Sequence, residues 1–282
     1  MFRVRQGGVG SRVSNLPKRV GSVARKLVFT VAITVVSRVL IFGARALWRL
    51  RGRVDESRPG VVTERHRIPS GDRVLDAVFV RPERPARGTV LLCHGIGETV
   101  EHWLEVQNLL AENGVESLVF DYSGYGRSTG WVGAGRFESD AVAAFDFLAG
   151  WSRSERIALL GFSMGTGVAA AVAARVGAKR LILCAAFTSL REAARRVPLV
   201  GPFAFLLPDL WRTEEELRGC ALPVLIVHGE EDRLFRPEMA MRLARACRAP
   251  CELVFVPRVS HRTPMYRPSL AFWSVILDCI VE

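Results

Sequence analysis

Acidic residues are missing from positions 1–54 of this 282-residue chain. That leader carries 12 basic residues, whereas the rest of the chain has 27 basic and 28 acidic residues. The net charge of +11 therefore belongs to the leader, and the main part lacks the positive surface that a nucleic-acid-binding domain needs. We expect no nucleic acid among the partners.

A long uninterrupted apolar run is also missing. A membrane-spanning helix needs about 20 apolar residues, and the best candidate, at about 27–50, is interrupted by Arg38 and Arg45. Most of its polar residues share one arc of roughly 140° on a helical wheel, although Ile41 and Trp48 fall there too. This pattern predicts an amphipathic helix at a bilayer surface.

Three other interpretations of this segment stay open: a membrane-spanning signal anchor, a cleaved signal peptide, and a helix that packs on the main domain. We expect a membrane-associated protein with its main domain in the cytoplasm. The leader does not fix the orientation, because basic residues flank the apolar segment on both sides.

The six cysteines show no disulfide or metal-binding pattern. Cys93 and Cys184 lie in apolar runs typical of buried strands, where cysteine behaves as a small hydrophobic residue. Cys247 and Cys251 are close in sequence, but no second pair stands at ligand spacing. We expect no disulfide framework, no metal and no organic cofactor.

Short apolar runs alternate with helical patterns from residue 55 onward. An opening hairpin turns at Ser70-Gly71-Asp72, and the later runs predict an α/β fold, a mostly parallel sheet with helices on both faces. Residues of about 188–218 break this alternation with three prolines among apolar residues, which predicts a small cap over a pocket. The predicted organisation is a leader at 1–54 and one domain at 55–282.

A candidate nucleophile lies in the sequence Gly161-Phe162-Ser163-Met164-Gly165, which matches G-x-S-x-G. An apolar strand pattern runs into it and an alanine-rich helical pattern follows. Glycines flank such a serine because the turn is strained and neighbouring chains approach closely. We therefore predict that Ser163 lies on a sharp strand-to-helix turn with its Oγ exposed, and that Gly161 and Gly165 allow the close approach of the neighbouring chains.

A serine nucleophile needs a base, and His261 is the best placed of the five histidines. It lies in a loop just past the last predicted strand, whereas His94 and His228 end strands. A loop lets the imidazole reach over the end of the sheet.

The base in turn needs a carboxylate that holds its tautomer. Asp232 follows a strand at a distance that lets it turn back toward the base. Glu230 and Glu231 remain substitutes, and Asp121 is a rival that we interpret as bonding loop backbone.

An oxyanion formed at this site needs two N–H donors. The backbone N–H of Met164 follows the nucleophile, and that of Ile96 lies in His94-Gly95-Ile96-Gly97 after an earlier strand. We predict that these two backbone groups form the oxyanion hole.

The chain order Ser163, Asp232, His261, with the HGIG sequence, resembles the α/β-hydrolase superfamily over residues 61–282. The sequence DYSGYGRSTG at 121–130 is similar to a loop of the short-capped branch, which includes acyl-protein thioesterases, monoacylglycerol-lipase-like enzymes and serine aminopeptidases. Ile96 departs from the Asn, Phe or Gly common there, and Val259-Ser260 precede the histidine where Gly is common.

The resemblance implies a serine hydrolase, and we expect it to cleave an ester or thioester of a lipid-like or small-molecule acyl substrate, through an acyl-enzyme. The apolar cap and the basic leader favour a hydrophobic acyl group. An aminopeptidase would use acidic groups for the substrate amine, with Glu98, Glu101 or Glu215 as candidates. An acyltransferase and a catalytically silent membrane-tethered module also remain alternatives.

Overall fold

A computed structural model describes residues 27, 30, 31, 58–133, 135–152, 154, 156–197, 201–208 and 210–282. The predicted leader and the predicted boundary at 54/55 lie almost wholly outside these residues. Within them, no helix combines the length and the hydropathy needed to span a bilayer.

Eight strands form one sheet. They are β1 (Val61–Ser70), β2 (Arg73–Pro82), β3 (Gly88–Cys93), β4 (Val115–Phe120), β5 (Ile157–Phe162), β6 (Arg180–Cys184), β7 (Val224–Gly229) and β8 (Cys251–Val256). Their order is β1-β2-β4-β3-β5-β6-β7-β8. The first two pairings are antiparallel and all later ones are parallel, which confirms the predicted α/β fold.

The helices of the described chain cover both faces of the sheet. They are α1 (Val100–Glu112), α2 (Arg136–Trp151), α3 (Met164–Val172), α4 (Leu190–Arg195), α5 (Thr213–Gly219), α6 (Pro237–Ala246), α7 (Thr263–Tyr266) and α8 (Leu270–Val281). Along β3, Leu91 joins the apolar core under α2, α3 and α6, while Val90 and Leu92 join the core under α1 and α8. Because both faces are covered, the central strands are continuously apolar.

Two element ends depend on contacts that the local pattern does not show. Helix α3 ends at Val172, although the alanine-rich pattern continues to Val176, because the N–H of Arg175 donates to the carbonyl of Val172 and closes a tighter turn. Strand β8 begins at Cys251, two residues before the apolar run that starts at Leu253, because β7 extends the parallel ladder to Cys251. Pairing partners set both the length and the end of a strand, and a local pattern does not contain them.

The predicted cap region contains three short helical pieces: α4, a 3₁₀ helix at Gly201–Leu206, and α5. Ala204 and Leu207 are buried in the same apolar core as Met164 and α3. Trp211 lies close to α3: a Cβ added at Gly167 would be 2.6 Å from the Cβ of Trp211. The connection leaves the carboxyl end of β6, and Trp211 contacts the first turn of α3, so this part of the cap region lies near the carboxyl edge of the parallel strands.

Candidate active site

Ser163 occupies the turn between β5 and α3 with φ 51°, in the left-handed region that side chains seldom adopt. The predicted exposure of this residue is wrong: Ser163 is only 5% exposed, because the imidazole of His261 lies against its hydroxyl. The two flanking glycines make this turn possible. A Cβ at Gly161 would lie 2.4 Å from the carbonyl oxygen of Gly165, and a Cβ at Gly165 would lie 1.9 Å from that of Cys93. These short distances show the predicted close approach of neighbouring backbone at both glycines.

The structure brings His261 to Ser163 across 98 positions of sequence, with 2.9 Å between Nε2 and Oγ. The loop that carries His261 packs on the end of β7, where a Cβ at Gly229 would lie 2.2 Å from the carbonyl oxygen of Val259. The N–H of Glu231 donates to that same carbonyl at 3.0 Å. Gly229 is a positioning residue that the sequence interpretation missed, although its place directly after His228 at a strand end was a usable signal.

Asp232 is the carboxylate that meets the base. Its Oδ2 lies 2.7 Å from His261 Nδ1, and its Oδ1 accepts hydrogen bonds from the N–H groups of Leu234 and Phe235 at 2.9 and 2.8 Å. The side chain is buried, whereas the predicted substitutes Glu230 and Glu231 are exposed. Backbone donors therefore fix the carboxylate, and the carboxylate fixes the imidazole.

Two other histidines, His94 and His228, form hydrogen bonds with backbone carbonyls instead of with Ser163. His94 Nδ1 donates to the carbonyl of Gly95 at 2.8 Å, and His228 Nε2 donates to that of Phe235 at 2.7 Å. Burial lowers the pKa of His94 to about 3 and also lowers that of His228, so both stay neutral.

Two further side chains near the ends of strands β3 and β4 are not candidates for the chemistry. The carboxylate of Asp121 accepts from the backbone N–H groups of Val100 and Arg127 at 2.9 and 3.2 Å. Burial raises the pKa of Cys93 to about 12, which keeps this thiol protonated and removes it as a rival nucleophile. Within the residues that the structure describes, no group of three His, Cys, Asp or Glu side chains is arranged for a metal ion.

The predicted oxyanion donors lie at adjacent chain segments. Gly165 packs against the carbonyls of Cys93 and His94, which brings the start of α3 beside the loop of Ile96. In the described part of the chain, the backbone N–H groups of Ile96 and Met164 make no hydrogen bond. Both are free to donate to a ligand.

Glu98 holds the loop of Ile96, a role that the sequence interpretation missed. Its Oε2 accepts from the N–H of Gly95 at 2.7 Å and from Nε1 of Trp103 at 3.0 Å. Burial raises the pKa of Glu98 to about 7, against the lowering effects of these donors and of Arg262. The signal available in the sequence was a glutamate one position after HGIG, with a tryptophan five residues further on.

Aromatic rings surround the imidazole of His261. The ring of Phe235 meets it edge-on with centroids 5.0 Å apart, and the ring of Phe162 lies at 5.8 Å. Phe187, from the chain leaving β6, packs on Phe235 at 5.4 Å. A base in such surroundings is poorly hydrated, which strengthens its hydrogen bonds to the neighbouring polar groups.

Comparisons with known proteins identify the superfamily of the chain. The family described as serine aminopeptidase, S33, matches residues 84–213. An uncharacterized protein of Mycobacterium tuberculosis is 34% identical over 194 residues, which cover 68% of this chain and 67% of that protein. The chain belongs to the α/β-hydrolase superfamily. The resemblance noted in the sequence is thereby confirmed.

Two further similarities place this hydrolase among known members of the superfamily. It is 28% identical to lysophosphatidylserine lipase ABHD12 of Mus musculus over 163 residues, covering 51% of this chain and 41% of that protein. The solved structure of the Pyrococcus furiosus esterase Pf2001 superposes with a TM-score of 0.66 at 21% identity, covering 78% and 92% of the two chains. At that identity the structural match shows the fold alone, while hydrolases recur throughout the comparisons.

Proposed function

We propose that this hydrolase cleaves a carboxylic ester or thioester with a hydrophobic acyl group, through an acyl-enzyme on Ser163. The observation that carries the proposal is the continuous hydrogen-bonded chain from Ser163 Oγ to His261 and on to Asp232, at 2.9 and 2.7 Å. These distances are within the reach required for proton transfer between a nucleophile and its base.

The first half of the reaction forms the acyl-enzyme. His261 Nε2 takes the proton of Ser163 as Oγ attacks the substrate carbonyl carbon, and the resulting oxyanion accepts from the N–H groups of Ile96 and Met164. Asp232 stabilises the imidazolium. The tetrahedral intermediate then expels the alkoxide or thiolate, which receives the proton from His261.

The second half releases the acid. His261 takes a proton from water, the hydroxide attacks the acyl carbonyl, and the same two N–H groups stabilise the second oxyanion. Collapse breaks the bond to Ser163 Oγ, which regains its proton from His261. The products are one carboxylic acid and one alcohol or thiol.

Two observations support a hydrophobic acyl group. Phe187 and Phe235 form an aromatic wall next to His261, and the cap buries Ala204 and Leu207 in the core that also contains Met164. The name of ABHD12, a lysophosphatidylserine lipase, describes hydrolysis of a lipid ester by a relative. Together with the basic leader, these features favour a lipid-like substrate. We propose that the enzyme acts at the cytoplasmic face of a membrane.

Aminopeptidase activity is the second candidate, because the matching family is described as serine aminopeptidase. The acidic side chains considered for binding a substrate amine are already engaged. Glu101 accepts from Arg65 at 3.0 Å, Glu215 pairs with Arg212, and Glu98 accepts from its own loop. This arrangement favours an ester over an aminoacyl substrate.

A substrate panel separates the two candidates. The full chain is assayed with p-nitrophenyl acyl esters of increasing chain length and with aminoacyl-nitroanilides, beside a Ser163→Ala control. We expect ester hydrolysis that increases with acyl length and disappears in the variant. A preference for the nitroanilides would support the aminopeptidase, and product formed only when an alcohol acceptor is added would support an acyltransferase. If Ser163→Ala still hydrolysed the esters or the nitroanilides, Ser163 would not be the nucleophile.

A further inference from the structure

The 3₁₀ helix of the cap presents apolar side chains to solvent. Phe203 is 60% exposed, Phe205 is 62% exposed and Leu206 is 39% exposed. A 3₁₀ helix has three residues per turn, so Gly201, Ala204 and Leu207 share the inward side while these three side chains occupy the other two. The inward side is anchored in the core, and the outward side faces solvent.

Two cations stand beside this surface. Helix α4 packs against the 3₁₀ helix, and a Cβ at Gly201 would lie 2.7 Å from the carbonyl oxygen of Arg195. Arg195 and Arg196 are exposed, and neither guanidinium forms an ion pair with any described residue. The nearby Glu192 is already held by Arg242 at 2.9 Å and by Thr188. The positive charge of the two arginines is therefore available for an external partner.

The surface formed by Phe203, Phe205, Leu206, Arg195 and Arg196, named here the cap face, belongs to the connection that leaves the carboxyl end of β6. Ser163 and the loops of Asp232 and His261 leave the strands at that same edge. Exposed aromatic side chains flanked by exposed arginines match the boundary of an anionic bilayer, where rings enter the interface and guanidinium groups meet lipid headgroups. A protein partner would place the two arginines against acidic side chains but would not explain why this surface belongs to the connection that begins at the same strand edge as the site.

We propose that the cap face docks on the surface of an anionic lipid bilayer and holds the site of Ser163 against it. This contact is distinct from the one expected for the basic leader, and two weak membrane contacts together bind far better than either alone. The proposal deepens the proposed hydrolysis of a lipid-like ester and depends on it for its purpose, whereas the contact itself needs no catalysis.

Photo-crosslinking tests the contact directly. The photoreactive amino acid p-benzoylphenylalanine replaces Phe205 in the full chain, in a Ser163→Ala background, and the protein is irradiated on phosphatidylcholine vesicles that contain phosphatidylserine. The matched control places the same probe at Trp151, which is 49% exposed at the opposite edge of the sheet, where α2 ends. We expect lipid adducts at position 205 and none at 151, read by mass spectrometry.

Two results would overturn the proposal: no lipid adduct at 205 while the protein is vesicle-bound, and crosslinks from 205 to a second copy of the chain instead of lipid. Because the probe is read without turnover, failure of the ester assay leaves this result unchanged. The two proposals can therefore fail separately.

Charge reversal provides a second test. Arg195→Glu with Arg196→Glu should weaken partitioning of the full chain onto these vesicles by about tenfold or more, because each cation near an anionic surface contributes substantially. Lys179→Glu with Arg248→Glu makes the same charge change at the exposed amino edge of the sheet and should alter partitioning less than about twofold. Equal losses in the two pairs would refute a specific role for the cap face. Hydrolysis of a water-soluble p-nitrophenyl ester reports correct folding in both pairs.

Discussion

Replacement of Glu98 by Gln should stabilise the protein above neutral pH. Burial raises the pKa of this carboxyl from 4.5 to about 7, so the native protein retains a proton that the unfolded chain has lost. Stability then falls as the pH rises from 4.5 toward 7, by about 3 kcal/mol in all. Gln is neutral at every pH and keeps an oxygen to accept from Gly95 and Trp103.

Urea unfolding of the wild type and of Glu98→Gln measures this effect. The stability advantage of the variant should grow from under about 1 kcal/mol near pH 5 to about 3 kcal/mol near pH 8. Buried histidines titrate in both proteins and cancel in the difference. A stability advantage of Glu98→Gln that stays constant with pH would refute this argument. So would a variant that is less stable than the wild type near pH 8, because the wild type should then be destabilised by the ionisation of the buried Glu98 carboxyl.

Further predictions address the base, the turn and acid stability. Asp232→Asn should lower kcat for ester hydrolysis by roughly 10⁴-fold with the fold retained, and a loss below about tenfold would contradict its role in orienting His261. Gly165→Ala should destabilise by about 3 kcal/mol or more in thermal unfolding, because its Cβ would lie 1.9 Å from a β3 carbonyl. Gly150→Ala, in a helix with open space around its Cβ, should instead stabilise by about 0.5–1 kcal/mol, and similar behaviour of the two variants would refute the packing argument. His102→Gln should reduce the loss of unfolding free energy at acid pH by about 3 kcal/mol. Burial lowers the pKa of His102 from 6.5 to about 4, so the unfolded chain binds a proton that the native protein does not, and the native protein loses stability as the pH falls between those values. Gln is a normal capping-box residue at that helix position, so the variant should keep the helix start. An unchanged loss of stability at acid pH would show that His102 does not cause it.

The fold was predictable from the sequence because the central strands of the parallel sheet are buried on both faces. Such strands appear as short continuous apolar runs, and β3, β5 and β7 are examples. What the runs do not contain is the order of the strands. The neighbours of β3 are β4 and β5, and this pairing depends on contacts between distant segments.

The residues of the candidate site were predictable where local chemistry demands them. Gly161 and Gly165 are required by the strained turn of Ser163, and a loop histidine after the last strand has the reach of a base. The choice of Asp232 over Glu230 was harder, because burial decides it and three acidic residues follow one another.

The supporting residues were not predictable in the same way. Glu98 and Gly229 act on the backbone of loops whose shapes exist only in the folded chain. A glutamate after a glycine-rich turn and a glycine at a strand end are common, so these local signals alone could not assign the two roles. Their roles appear once the distances to Gly95 and Val259 are known.

Active-site labelling tests the central claim most directly. A fluorophosphonate probe is incubated with the full chain, and the modified residue is located by peptide mass spectrometry, beside the Ser163→Ala and His261→Ala variants. We predict one label for each chain, on Ser163, absent from the first variant and strongly slowed in the second. A folded wild-type protein that stays unlabelled, or a label carried by another residue, would contradict the account.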